Sequence, residues 1–239
     1  MRALAGELLL KAWEEGLDEP ELRRPLALLA VAMPDTDRGQ LETMPVSERN
    51  RLLLGLHELS FGATLTAVTS CSACKEPLEF SVPVAQLTQI LADAGEDALE
   101  WQEIGHEYRL RAVTTADLLA TLATDELDQA QDLLLSRCLT VTPPHNGEGE
   151  ELKRATLTAK FEQLHAATEL SCAITCPGCS ETQQVDVDIA RFLWSEVRSE
   201  GQRLLGDVHV LATHYGWSEQ AILALQDRRR AAYLEMVEA

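Results

Sequence analysis

Two CxxC pairs carry the chemistry legible in this chain: Cys71-Ser-Ala-Cys74 and Cys176-Pro-Gly-Cys179. A CxxC turn sets two sulfurs on one side of a metal ion. Two such turns complete the tetrahedral thiolate set that suits zinc, and the Pro-Gly filling of the second pair is that of a zinc knuckle. A closed four-sulfur site leaves no open position for a substrate, so the expected role is structural and not catalytic. The other chemistry open to CxxC is dithiol redox, which needs the first cysteine at a helix N-terminus. Here alternating apolar residues follow each pair, which makes the next segments strands and favours zinc. Four buried thiols without a metal is the remaining reading.

Other candidates are weaker. Cys172, four residues before Cys176, is a possible substitute ligand but reads better as a small buried hydrophobe. Cys138 shares an apolar helix face with Leu134 and Leu135 and reads as core. The six histidines show no metal spacing. No GxSxG, GxxxxGK[ST] or GxGxxG motif occurs, so the chain reads as non-enzymatic.

The elements that must position the cysteines repeat. Leu65, Phe80, Val82, Val84 and Leu87 stand in the same register about the first pair as Leu170, Val185, Val187, Ile189 and Phe192 about the second. This predicts two related strand–knuckle–strand units clasping one metal within a mostly helical α+β fold. Residues 1–64 read as helices: an amphipathic one carrying Leu4, Leu8, Leu9, Ala12 and Trp13, a second opened by Pro20, and a third capped by Ser47 and stopped by Gly62. Residues 65–189 hold the zinc-ribbon-like units with an insertion: a short helix over 85–94, a hairpin turning at Gly105-His106, a helical stretch over 115–139 broken near Thr124, and a loop over 142–151 rich in Pro, Gly and Glu. Residues 190–239 read as a long helix interrupted at Gly201 and two short ones capped by Ser218 and Asp227. All three segments are expected to pack as one domain.

Composition bounds the rest. The chain has 239 residues, 46% of them apolar, which suffices for a sizeable core. With four Phe, four Trp and three Tyr, that core must be mainly Leu, Ala and Val. The formal net charge of −19 makes nucleic acid a poor default partner. The first residues lack the pattern of a cleaved signal or a membrane span, which places the protein in the cytoplasm, where cysteines serve as metal ligands or free thiols. Arg228, Arg229 and Arg230 follow a Gly216-Trp217-Ser218 break that could suggest a helix-turn-helix. In so acidic a chain they read as an exposed basic stripe on a packed helical end.

Several phrases carry a resemblance: LLGLHELSFGATL (53–65), YRLRAVTTADLLA (108–120), LLLSRCL (133–139), FLWSEV (192–197), LLGDVHVLATHYGWSEQAILAL (204–225) and RRRAAYLEMV (228–237). They are similar to bacterial proteins encoded with phage-tail-like contractile injection systems, a group distantly similar to the baseplate hub assembly proteins of T-even phages. The two CxxC pairs match that group's zinc-ribbon-like pattern. The resemblance implies an assembly factor or minor structural component whose partners are baseplate or hub proteins, with no catalytic residues to carry over. The alternatives from other classes are a zinc-ribbon nucleic-acid or transcription-associated protein and a dithiol oxidoreductase.

Overall fold

The computed structural model describes residues 1–93, 97–103, 105–142, 154–168 and 170–238. The loop expected over 142–151 lies, beyond Thr142, outside the described residues. The fold is α+β and mostly helical, as the sequence implies.

Four helices come first: α1 (Gly6–Leu17), α2 (Arg24–Ala32), α3 (Arg38–Thr43) and α4 (Val46–Phe61). The alternation of α1 buries Leu9, Leu10, Ala12 and Gly16 on one face. α2 is apolar on nearly every side and is buried throughout as the central helix. It begins later than Pro20 suggests, because Pro20–Arg23 closes a turn through Arg23 N–H to Pro20 O. α3 was not foreseen; Asp37 makes it by accepting the Gly39 N–H at 2.9 Å. Ser47 is not the cap of α4. Pro45 holds that position, and the Ser47 hydroxyl donates instead to Asp97. Gly62, at φ 106°, ends α4 in a conformation that disfavours side chains.

Two small hairpins and one three-stranded sheet follow. β1 (Thr64–Ser70) pairs antiparallel with β2 (Pro77–Pro83), which runs straight into α5 (Val84–Ala92). β3 (Ala98–Glu103) and β4 (His106–Arg111) form the expected hairpin, with Leu99 opposite Leu110 and Trp101 stacked on Tyr108. The helical stretch over 115–139 breaks as expected into α6 (Thr115–Thr121) and α7 (Leu127–Cys138). A short strand not foreseen, β5 (Leu139–Thr142), then adds to β4. α8 (Arg154–His165), a 3-10 turn (Ala166–Thr168), β6 (Ser171–Thr175) and β7 (Thr182–Asp186) lead into α9 (Ile189–Tyr215), α10 (Glu219–Leu223) and α11 (Asp227–Glu238).

α9 is the spine. Asp188 caps it by accepting the Arg191 N–H, and left-handed Gly216 closes it. It is unbroken at Gly201, contrary to the sequence reading. Gly201 is there because the Trp13 ring of α1 lies 3.1 Å from where a Cβ would stand. The contact is reciprocal: the Trp194 ring of α9 lies 2.2 Å from where a Cβ on Gly16 of α1 would stand. Two Gly–Trp pairs thus let α1 and α9 approach closely.

The main core joins α1, α2, α4, α5 and α9 to the first hairpin and is built largely of Leu, Ala and Val, as composition requires. A second cluster joins the three-stranded sheet to α6, α7 and α8. The end of the chain corrects two readings. Arg230 is 1% exposed and donates through Nε to Asp207 at 3.0 Å, so the basic stripe reduces to Arg228 and Arg229. Asp227 lies inside α11 and accepts from Arg230 instead of capping the helix. Among the described residues no helix is long and apolar enough to cross a membrane.

Candidate metal centre

Each CxxC pair occupies the turn of a hairpin, and the two turns are built alike. Cys71 N–H donates to Glu76 O at 2.9 Å, and Lys75 N–H to Cys71 O at 3.1 Å. In the second turn Cys176 N–H donates to Glu181 O at 2.8 Å, and Ser180 N–H to Cys176 O at 2.9 Å. Lys75 and Ser180 both sit in the left-handed region, at φ 63° and 61°. These are the only described non-glycine residues with positive φ, so the chain accepts the same local strain twice to make the same knuckle. Beyond each hairpin, β2 enters α5 as β7 enters α9, and Val84 and Ile189 are the buried first residues of those helices. The repeat read from the flanking residues is therefore a structural repeat.

The two turns face each other and bring all four predicted sulfurs within 4.8 Å of one another. Cys71 Sγ lies 3.6 Å from Cys179 Sγ, and Cys74 Sγ lies 3.6 Å from Cys176 Sγ. Exchanging the two knuckles maps one of these pairs onto the other. Burial follows the same exchange, with Cys71 and Cys176 buried and Cys74 and Cys179 exposed. The centre of the cluster thus lies on a local two-fold axis relating the hairpins.

The donor set fits a tetrahedral ion. Zinc–thiolate bonds of about 2.3 Å put sulfurs at tetrahedral corners about 3.8 Å apart, close to the 3.6 Å found here. All six cysteines are free thiols. Packed so closely, Cys71, Cys74 and Cys179 do not ionise independently. The Cys74 N–H, with help from neighbouring groups, holds Cys71 down to about 6. Cys74 is pushed up to about 12 despite the Glu76 N–H, by partial desolvation among the sulfurs and by the adjacent Cys179, Cys71 and Cys176 themselves. Proximity that sets thiolates against one another becomes favourable around a divalent cation, which neutralises them together.

Leu78 and Ile174 pack with Cys71 and Cys176 and close the inner side of the cluster. Gln183 of β7 reaches across to the first knuckle. Its Oε1 accepts the Ser72 N–H at 2.6 Å and its Nε2 donates to Ser70 O at 3.1 Å. Gln183 did not stand out in the sequence, although it occupies the position that Leu78 holds in the first unit. Cys172 is not part of the cluster; it packs against the main core with its thiol toward Val185 O. Cys138 is buried beside Asp117, as a core residue.

No protein-family model matches the chain, and neither a curated protein nor a solved structure does.

Proposed function

We propose that this chain is a non-enzymatic protein held together by one structural zinc ion on Cys71, Cys74, Cys176 and Cys179, and that it acts through protein–protein contacts. The observation that carries the reading is the closed, two-fold-related four-sulfur cluster. Its ligands come in pairs from distant parts of the sequence, so an ion there ties β1–β2 to β6–β7 and contributes folding energy directly. All four corners of the tetrahedron are taken by protein, leaving none for a reacting ligand. Each CxxC lies between two strands and not at a helix start, which favours structural zinc over dithiol exchange. Among the described residues β1 pairs only with β2, and β6 only with β7. The hairpins therefore keep open edges of the kind that partner strands can join.

The partners we propose are baseplate or hub proteins of a contractile tail-like particle, met in the cytoplasm. This part of the reading rests on the sequence resemblance alone.

Two measurements test the zinc reading. Elemental analysis of the purified chain should return one zinc per chain, lost with the fold on strong chelation. Cys176→Ser should lower stability by about 2–5 kcal/mol, in the range of losing a structural cross-link. A chain without metal, carrying reactive thiols and melting unchanged in the mutant, would sink the zinc reading. For the partners, a tagged chain is recovered from cells carrying such a system. Baseplate or spike proteins on the free chain mean an assembly factor, and the chain within sedimented particles means a structural subunit. Tail proteins in neither fraction, with salt-sensitive binding of DNA or RNA, would return the nucleic-acid reading.

A further inference from the structure

A cavity of about 610 Å³ opens between α2, α4 and the start of α9, apart from the cysteine cluster. Its volume is in the range of small-ligand sites. Three arginines line it: Arg24 from α2, Arg49 from α4 and Arg191 from α9. None of the three forms an ion pair with a described carboxylate, in a chain with about two acidic residues for each basic one.

Arg49 is the decisive residue. It is only 6% exposed. Its guanidinium donates to neutral oxygens alone, Asn50 Oδ1 at 2.9 and 3.2 Å and Thr115 Oγ1 at 3.0 Å. Three of its five N–H groups are thereby used, and two have no partner among the described residues. A buried cation without an ion-pair partner is costly, and desolvation accordingly lowers the pKa of Arg49, opposed in part by the more distant charge of Asp188. Arg24 repeats the pattern. Its guanidinium carbon sits 5.1 Å from the centre of the Trp194 ring, and its buried Nε has no hydrogen-bond partner among the described residues. Trp194 is itself fixed, because Gly16 is pressed against its other edge. The cavity floor therefore combines rigid apolar wall, from Trp194 and Leu170, with unspent guanidinium donors.

The carboxylates nearby do not spend them. Glu21, Asp186 and Asp188 line the opening and are exposed to water. Asp188 is engaged in capping α9, although its charge does act on Arg49 from a distance. An acidic mouth over a cationic floor repels a polyanion such as nucleic acid, while a single anionic group of small size can still reach the floor.

We infer that this cavity binds an oxyanion head group, carboxylate or phosphate, carried on an apolar body, with Arg49 and Arg24 taking the oxygens, Arg191 adding positive charge at the opening and Trp194 meeting the apolar part. Arginine's planar fork matches both head groups. The inference goes beyond the zinc reading and does not depend on it.

The test titrates phenylacetate, phenyl phosphate and inorganic phosphate into the purified chain, followed by calorimetry and tryptophan emission, with benzyl alcohol as the neutral control. At least one of the two organic anions should saturate with a Kd in the micromolar-to-millimolar range and bind more tightly than inorganic phosphate. Benzyl alcohol should not saturate. Arg49→Lys should weaken binding about tenfold or more. Arg191→Gln, at an exposed position that leaves folding untouched, should weaken it several-fold. Tighter binding of phenylacetate assigns a carboxylate ligand, such as an organic acid or a chain terminus. The reverse order assigns a phosphate ester. The inference is overturned if neither organic anion saturates into the millimolar range, if benzyl alcohol binds equally well, or if Arg191→Gln binds as the parent does.

Discussion

The side chain of Gln183 in the second hairpin is hydrogen-bonded to the backbone of Ser72 in the first, Oε1 accepting the Ser72 N–H at 2.6 Å. With its second bond to Ser70 O, Gln183 is an amide clamp across the two knuckles, one residue doing for the backbone what an ion would do for the sulfurs. The clamp fixes the separation at which the CxxC turns meet. Gln183→Leu, which restores the residue type found at Leu78, should leave the hairpins folded but loosen their register. We expect zinc affinity to fall about 10-fold to 100-fold, the range seen when groups supporting metal ligands are removed. Competition with a chromophoric chelator measures this, and an affinity unchanged from the parent would show that the cysteines alone set the geometry.

The two cysteines outside the cluster separate ligand from filler. Cys172 shares a strand with the second knuckle yet packs on the main core. Cys172→Val should therefore leave one metal per chain and shift stability by less than about 1.5 kcal/mol, as for a swap of similar volume. Cys138→Ala should also keep the metal, while costing on the order of 1 kcal/mol for the small cavity left in a site 2% exposed. Loss of metal in either variant, with the fold retained, would redraw the ligand set.

The Gly–Trp pairs between α1 and α9 make a graded prediction. A Cβ on Gly16 would lie 2.2 Å from Trp194, a distance no relaxation of the ring alone can absorb, whereas a Cβ on Gly201 would lie 3.1 Å from Trp13. Gly16→Ala should cost about 2–3 kcal/mol from overpacking. Gly201→Ala should cost less, because removing a mid-helix glycine returns about 0.5–1 kcal/mol of propensity. Chemical denaturation of the two variants checks the order, and a larger loss at Gly201 would contradict the packing described.

Much of this was legible in the sequence because it is local. CxxC spacing, strand alternation around Phe80 and Val185, and the Gly216 stop are set by neighbours within a few residues. The repeat even placed Val84 and Ile189 in equivalent register, and both prove to be helix starts. What escaped notice depends on partners far along the chain. Gly201 reads as a helix breaker until Trp13 is seen against it, and Arg230 reads as surface until Asp207 meets it. β5 is four residues long and exists because β4 offers an edge. Arg49 looked like any helical arginine; only its burial among neutral acceptors gives it meaning.

Acid should destabilise the protein in two stages, each traceable to one side chain. His165 accepts the Val113 N–H at Nε2 and approaches Phe161 O at 2.8 Å through Nδ1, which fixes the neutral tautomer with its proton on Nδ1. Burial lowers its pKa below the ordinary 6.5. The unfolded chain then takes up the proton first, so the His165 contribution is complete above about pH 6.5 and is lost as pH falls below it. Asp117 acts lower. Burial of this fully enclosed carboxylate works to raise its pKa, but hydrogen bonds from Arg111, Thr114 and Arg137 outweigh that and hold it well below the ordinary 3.8. Its contribution is present above the unfolded value and drains away as pH falls through and below about 4. His165→Gln, which keeps an acceptor for Val113, should flatten the stability profile between pH 7 and 5 and leave the lower limb intact. Asp117→Asn should remove the lower limb and cost about 2 kcal/mol at neutral pH. That falls below the range of about 3–5 kcal/mol for a fully buried broken pair, because water still screens its half-exposed arginine partners. Urea unfolding midpoints taken across this range separate the two. A lower limb that survives in Asp117→Asn would place the acid sensitivity in other carboxylates.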